Sequence, residues 1–220
     1  MSKREIVTFS IGKPKTVPYG NEKEMVTGIC KGKVEEAFLS KDGFHGDGVA
    51  DLRFHGGPDR AVCVYPFEHY AQWEAEFQKP LADATFGENL TVANMLETDV
   101  FIGDIFRVGD AVIQVTQGRV PCSTISKRTG LPQLMKRMIE TGYTGYLCRV
   151  LEEGVVRRDS TITLLEQHPA NVSIQFGNEI YFHQPQNIEA LKRIVAVEAL
   201  AEEWRKSLQK RIVNLVGVKG

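Results

Sequence analysis

The spacing of a zinc finger is missing from this chain. No two of its four cysteines form a C-x-x-C pair, and its five histidines, at 45, 55, 69, 168 and 183, form no H-x-x-x-H pair, which argues against a structural zinc site. There is no excess of either charge: 27 basic and 28 acidic residues are interspersed, for a net charge of −1. That balance leaves no footprint for nucleic acid and no surface drawn to a membrane, so small molecules are the expected partners. No apolar run is long enough to span a bilayer, and the apolar stretch that follows Met1–Glu5 is too short for a signal-peptide core; a cytoplasmic protein is expected. Four cysteines without a secretion signal fit that reducing compartment. Also absent are a Gly-x-Gly-x-x-Gly fingerprint, an iron–sulfur cysteine pattern, a haem motif, an internal repeat and a low-complexity tract.

What is present is a chain of 220 residues, 42% apolar, enough for one large β-rich domain or a domain with a small appendage. Short apolar or alternating runs at 6–11, 26–30, 34–39, 61–65, 90–92, 105–108, 111–116 and 160–165 read as strands bounded by Gly, Asp, Asn or Pro, a pattern that predicts a barrel or sandwich. Pro66 opens a helix whose Phe67, Tyr70, Trp73 and Phe77 recur at helical spacing, a stripe that reads as core, before Lys79-Pro80 closes it. A second helix is expected over 132–140, with Leu134, Met135 and Met138 inward and a stop near Gly142. After His168-Pro169 the strand signals end. Residues 171–182, 187–195 and 197–212 read as three short helices, the last with Leu200, Trp204, Leu208 and Ile212 on one face. The expected division is therefore a β domain over 1–168 and a three-helix module over 169–220, too small to stand alone and packed on the barrel or on a partner chain.

Cys30, Cys63 and Cys148 lie inside apolar, strand-like runs, where core filling accounts for them. Cys122 differs. It follows the strand-like run 111–116 in the loop Gln117-Gly-Arg-Val-Pro-Cys122. Pro121 fixes its own torsion and extends Val120, so the thiol is held stiffly. Arg119, Lys127 and Arg128 are near in sequence, and nearby cations favour the thiolate that binds metals or attacks electrophiles. Spacing alone leaves two readings open, a reactive thiol or one more small buried side chain.

Several motifs then stand in a telling order: Asp51-Leu-Arg-Phe-His-Gly-Gly-Pro-Asp-Arg-Ala61, Tyr65-Pro66, Phe86-Gly-Glu-Asn-Leu90, Ile102-Gly-Asp104, Arg119-Val-Pro-Cys122 and Gly145-Tyr-Leu-Cys-Arg-Val-Leu151. Together they resemble the MOSC domain, named after the C-terminus of molybdenum cofactor sulfurase. His168-Pro169 with the helices that follow resembles the extra module of the bacterial YiiM-type branch. Gly118 departs from the pattern, standing where a larger residue or proline is expected.

The resemblance implies a closed β-barrel like the small barrel of pyruvate kinase, a pocket for the molybdenum cofactor, and Cys122 as the cysteine whose sulfur sits on the metal. A thiolate is a soft ligand suited to such a metal. Arg60 and Arg119 are candidates for the phosphate or pterin, since guanidinium forks match phosphate geometry, and Ser123, Ser126 and Lys127 for the same grip. His55 lines the pocket or belongs to a turn that its neighbouring glycines permit. Asn89 lies beside the cofactor in the family, and also stands where an asparagine commonly satisfies a loop. Glu88 reads as a solvated turn residue rather than a proton donor. Asp51 and Arg53 pair with each other or with loop backbone, and Asp104 and Asp110 read as turn residues.

The implied activity is reduction of N-hydroxylated compounds, 6-hydroxylaminopurine among them, to amines. Its electrons come from a separate reductase, expected to be a flavoprotein docking on the C-terminal helices. The rival readings are persulfide transfer from Cys122, for which no pyridoxal-phosphate domain is present as sulfur donor, a cofactor carrier, and a barrel that has lost its cofactor.

Overall fold

The computed structural model describes residues 3–19, 23–51 and 55–217. The strands are β1 (Glu5–Ile11), β2 (Lys15–Tyr19), β3 (Lys23–Thr27), β4 (Gly32–Lys33), β5 (Glu36–Ser40), β6 (Gly43–Phe44), β7 (Val62–Pro66), β8 (Leu90–Ala93), β9 (Ile105–Val108), β10 (Ala111–Gly118), β11 (Tyr146–Glu152), β12 (Gly154–Arg157) and β13 (Ile162–Glu166). The helices are α1 (Glu68–Phe77), α2 (Ser123–Thr129), α3 (Leu134–Thr141), α4 (Ile174–Phe182), α5 (Ile188–Val195) and α6 (Glu202–Gly217), and a 3-10 turn spans Pro58–Arg60. No helix among the described residues is long and apolar enough to cross a membrane.

Eight strands form one curled sheet in the order β13-β9-β10-β11-β7-β8-β1-β4. The expected closure of the barrel is corrected here: the sheet is open. A closed barrel needs a ladder between its outermost strands. Here one edge is β4, two residues long and paired only with Ser10 and Ile11. Among the described residues a single bridge, Glu5–Thr161, links β1 to the segment leading into β13. A three-stranded sheet, β12-β5-β6, and the β2–β3 ribbon complete the β structure.

The β7–β8 pair is parallel, and parallel neighbours need a crossover, which α1 supplies. Tyr70 and Trp73 of α1 are buried while Phe67 is 47% exposed, so the aromatic stripe is core at its centre only. Gln78 caps the helix in the left-handed conformation just before Lys79-Pro80. Leu134 and Met138 of α3 are buried, and Gly142 ends that helix at φ 75°.

Ser173 accepts a hydrogen bond from the Phe176 amide and Asn187 one from the Ala190 amide, so each caps the start of its helix. The last helix starts at Glu202, later than its periodicity suggests, because Val197, Ala199 and Leu200 are buried in the connection before it. Ile174, Ile180, Leu191, Trp204 and Leu208 share one hydrophobic core with Phe9, Val62, Phe106 and Val115 of the sheet.

Candidate functional site

The site grows from the end of β10. Every residue of this strand is buried except Gln114, which is half-buried. A bulge in its pairing with β11, between Val115 and Gln117, bends the strand where it leaves the sheet. The Arg119 amide then donates to the Gly145 carbonyl at 3.0 Å. Pro121 is buried, and Cys122 stands in extended conformation at the N-cap of α2.

Gly118 has a physical cause. A Cβ built there would lie 2.0 Å from Asn178 Oδ1 and 3.2 Å from Trp204 Cη2. The C-terminal helices pack directly on this backbone, and no side chain fits between. The Ala201 amide reinforces the contact by donating to Thr116 O at 3.1 Å.

Next to this strand end opens a cavity of about 870 Å³. Its walls include Lys31, Asp47, His55, Arg60, Cys63, Asn89, Gln117, Arg119, Cys122 and, from the C-terminal helices, Tyr181 and Trp204. Of the residues singled out in the sequence, the structure brings His55, Arg60, Asn89, Arg119 and Cys122 together on it. Ser123, Ser126 and Lys127 are not on its walls. Ser123 is exposed at the start of α2. The Ser126 hydroxyl donates to Pro132 O and accepts from the Met135 amide, joining α2 to α3, and the Lys127 ammonium lies 5.1 Å from the Tyr19 ring centre.

Electrostatics separate the two thiols of the cavity. Burial alone pushes Cys122 up, but polar contacts from His55, then Thr124, and the Arg119 guanidinium outweigh it and bring the group down to about 6. At neutral pH it is a thiolate. Burial dominates at Cys63 and raises its pKa despite the opposing charge of Arg119, so that thiol stays protonated. Burial also works against the charge of Arg119, yet Cys63, Cys122 and Glu88 more than offset it, and its pKa rises. The guanidinium is therefore charged, and its Nη1 is buried without a hydrogen-bond partner.

Asn89 is a clasp. Its Oδ1 accepts from the Cys63 amide at 3.0 Å, and its Nδ2 donates to Asp47 Oδ2 at 2.8 Å. Asp47 also pairs with Lys31, whose side chain is 5% exposed, and accepts from the Gly12 amide. Arg60 Nε donates to Gly56 O at 2.8 Å, and His55 is exposed beside its glycines.

Two expectations are overturned. Glu88 is fully buried rather than solvated, accepting from the Tyr70 and Thr91 hydroxyls and from the Phe86 amide. Cys63 is half-buried on the cavity wall, not core filler. Cys148 is buried in the core, and Cys30 packs half-buried against a second cluster around Trp73. Asp104 does close a turn, its Oδ2 accepting from the Phe101 amide, and its Oδ1 also holds the His168 amide. Arg53 lies outside the described residues.

Sequence reasoning missed Lys31, Asp47 and Trp204. Each reaches the cavity through a long-range contact that no local pattern encodes.

Comparison with known proteins places these features. Residues 51–163 match the MOSC domain, and residues 172–214 match the YiiM-like, 3-alpha helix domain. YflK of Bacillus subtilis is 45% identical over 215 residues, 97% of either chain. A protein of Gibberella moniliformis named "Reductase" is 41% identical over 135 residues, 59% of this chain and 24% of its own length. The crystal structure of YiiM from Geobacillus stearothermophilus superposes with a TM-score of 0.82 at 36% identity, covering 95% of this chain and 99% of that one. The chain belongs to the MOSC domain family, in the branch that carries a YiiM-like three-helix module.

Proposed function

We propose that this protein is a molybdenum-cofactor oxidoreductase that reduces N-hydroxylated compounds, such as hydroxylaminopurines, to amines. One observation carries the reading: Cys122 shares the wall of one large cavity with Arg119, whose buried Nη1 has no partner, and the contacts of His55, Thr124 and Arg119 favour its thiolate. MOSC membership supports a role tied to the molybdenum cofactor, and the fungal relative named a reductase supports redox chemistry.

The residues present suit that cofactor. A thiolate is a soft donor for the metal. An unpaired guanidinium N–H awaits an acceptor, and phosphate or pterin oxygens provide one, with Arg60 as the second guanidinium on the wall. When bound, the cofactor supplies two-electron chemistry at the metal.

The chain's own tasks are holding, orienting and shielding. Cys122 ligates, Arg119 anchors and keeps the thiolate charged, and Asn89 fixes the backbone of Cys63 and the carboxylate of Asp47. His55, in contact with Cys122 and exposed toward solvent, is placed to pass a proton inward. The net reaction takes R–NHOH, two electrons and two protons to R–NH2 and water. A separate reductase, a flavoprotein by chemical class, delivers the electrons.

The test is the molybdenum and pterin content of protein from a host that makes the cofactor, compared with Cys122→Ser. Stoichiometric metal in the parent and its loss in the variant supports the reading. Metal retained by Cys122→Ser removes Cys122 as ligand. A parent free of metal but carrying labile sulfur on Cys122 assigns persulfide transfer instead.

A further inference from the structure

The start of α6 is capped from across the fold. The first amides of a helix need acceptors that the helix itself does not supply. Helices α4 and α5 carry Ser173 and Asn187 as their own caps, but α6 is preceded by Ala201, which has no side-chain acceptor. Its Glu202 amide donates instead to Asp59 Oδ2 at 2.9 Å, a residue 143 positions earlier. Two further bonds stitch the same connection to the sheet. The Ala201 amide donates to Thr116 O at 3.1 Å, and Arg149 Nη2 of β11 donates to Ala199 O at 3.0 Å.

Asp59 belongs to the 3-10 turn Pro58–Arg60, and its neighbour Arg60 lines the cavity. The turn is held from three directions. Asp59 Oδ1 pairs with Arg149 Nη2 at 2.8 Å, the Asp59 carbonyl accepts from the Thr116 hydroxyl at 2.7 Å, and Oδ2 takes the α6 amide. Arg60 folds the loop back on itself, through its amide to Gly57 O at 2.9 Å and its Nε to Gly56 O at 2.8 Å. Gly57, at φ 87°, has nothing within 4 Å of where a Cβ would stand. Side-chain packing at that point does not hold the loop, and polar contacts such as those of Asp59 must.

We infer that Asp59 is a positioning residue that ties the seat of the helical module to the placement of His55 and Arg60 on the cavity wall, so that the module organises the ligand-facing edge of the β domain. Asp59 is not itself on that wall, and acts through its neighbours. A cap supplied at position 201 would serve the helix alone; a cap supplied by Asp59 joins the helix to the cavity. The clamp needs no cofactor. Only the identity of what Arg60 then holds rests on the proposed function.

The test uses the full chain. Asp59→Ala removes the clamp; Asp59→Ala with Ala201→Ser gives α6 a cap of its own without restoring the link; Arg149→Met breaks the ion pair and leaves the Asp59 cap in place. Amide exchange of the peptide spanning 55–60 is followed by mass spectrometry, with β1 and β8 as internal reference. Exchange there is expected to rise roughly tenfold in Asp59→Ala and to rise also in Arg149→Met. Adding Ala201→Ser is expected to return the thermal midpoint toward that of the parent while the loop still exchanges fast. In a host that makes the cofactor, Asp59→Ala should lower bound molybdenum about fivefold or more, and cause no further loss once Arg60→Met is present. Unchanged exchange in both Asp59→Ala and Arg149→Met overturns the inference, as does full recovery of slow exchange by Ala201→Ser, which makes Asp59 a helix cap and nothing more. Molybdenum retained in full by Asp59→Ala, or a loss that adds in full to that of Arg60→Met, overturns the route through Arg60. A parent free of molybdenum refutes the cofactor reading, and the exchange result then decides the clamp by itself.

Discussion

Replacing Gly118 with alanine puts a methyl carbon 2.0 Å from Asn178 Oδ1, 3.0 Å from its Cγ and 3.2 Å from Trp204 Cη2. No rotamer of alanine relieves this, so Asn178 must move. Its Nδ2 donates to Gly142 O at 2.7 Å and to Thr144 Oγ1 at 2.9 Å, and both bonds are buried. Overpacking costs about 1–3 kcal/mol, and two weakened hydrogen bonds add roughly 1 kcal/mol each. A loss of about 3 kcal/mol lowers the melting midpoint of a chain this size by roughly 6–12 °C. Denaturant unfolding followed by circular dichroism reads the loss directly. The decisive version is a double-mutant cycle with Asn178→Ala, which sacrifices the same two bonds but empties the space. In that background Gly118→Ala is expected to cost less than about 1 kcal/mol, a coupling of about 2 kcal/mol between the sites. A cost below about 0.5 kcal/mol in the parent, or one unchanged by Asn178→Ala, refutes the argument that the helical module dictates glycine here.

Alkylation by iodoacetamide, followed peptide by peptide, should show Cys122 reacting with a midpoint near pH 6. Its rate is flat above pH 7 and falls about tenfold per unit below the midpoint, since the thiolate is the nucleophile; His55→Ala should move that midpoint upward, and an unmoved profile rejects the contact. Because the folded pKa lies below the ordinary thiol value of 9.0, the thiolate's stabilisation is complete above pH 9 and is lost as pH falls through 6. Chemical denaturation at a series of pH values, compared with Cys122→Ser, isolates that contribution. Glu88→Ala strands the Tyr70 and Thr91 hydroxyls and the Phe86 amide, and should cost about 3 kcal/mol or more in an unfolding titration. Asn89→Ala strands the Cys63 amide and removes one of the donors to Asp47, which keeps Lys31 and the Gly12 amide; a loss of about 2 kcal/mol is expected, together with weaker cofactor retention.

Much of the fold was legible because it rests on short-range rules. The run 105–108 is a strand with those limits, and Gly142 ends a helix as its left-handed conformation allows. The β2 strand escaped because Lys15–Tyr19 is exposed or half-buried throughout, contains Pro18 and pairs only with β3, so no buried face imposes an alternation. The seven-residue α2 buries Ile125 alone, too little for a periodic signal. Cys122, Arg119 and Asn89 stood out through motif order. Glu88 did not reveal its burial, because a carboxylate next to glycine looks like a turn until Tyr70 and Thr91 are known to reach it. Closure failed as an expectation for a related reason: it depends on the register between distant edges, which strand patterns leave open.

The cavity wall begins at Val26 and ends at Ser207, so nearly the whole span of the chain must be in place before any ligand finds its full set of contacts. Occupancy is thereby linked to global unfolding rather than to the opening of one loop. A ligand seated there acts as a brace between early and late segments, and each tenfold rise in its free concentration above its dissociation constant adds about 1.4 kcal/mol to the stability of the entire protein.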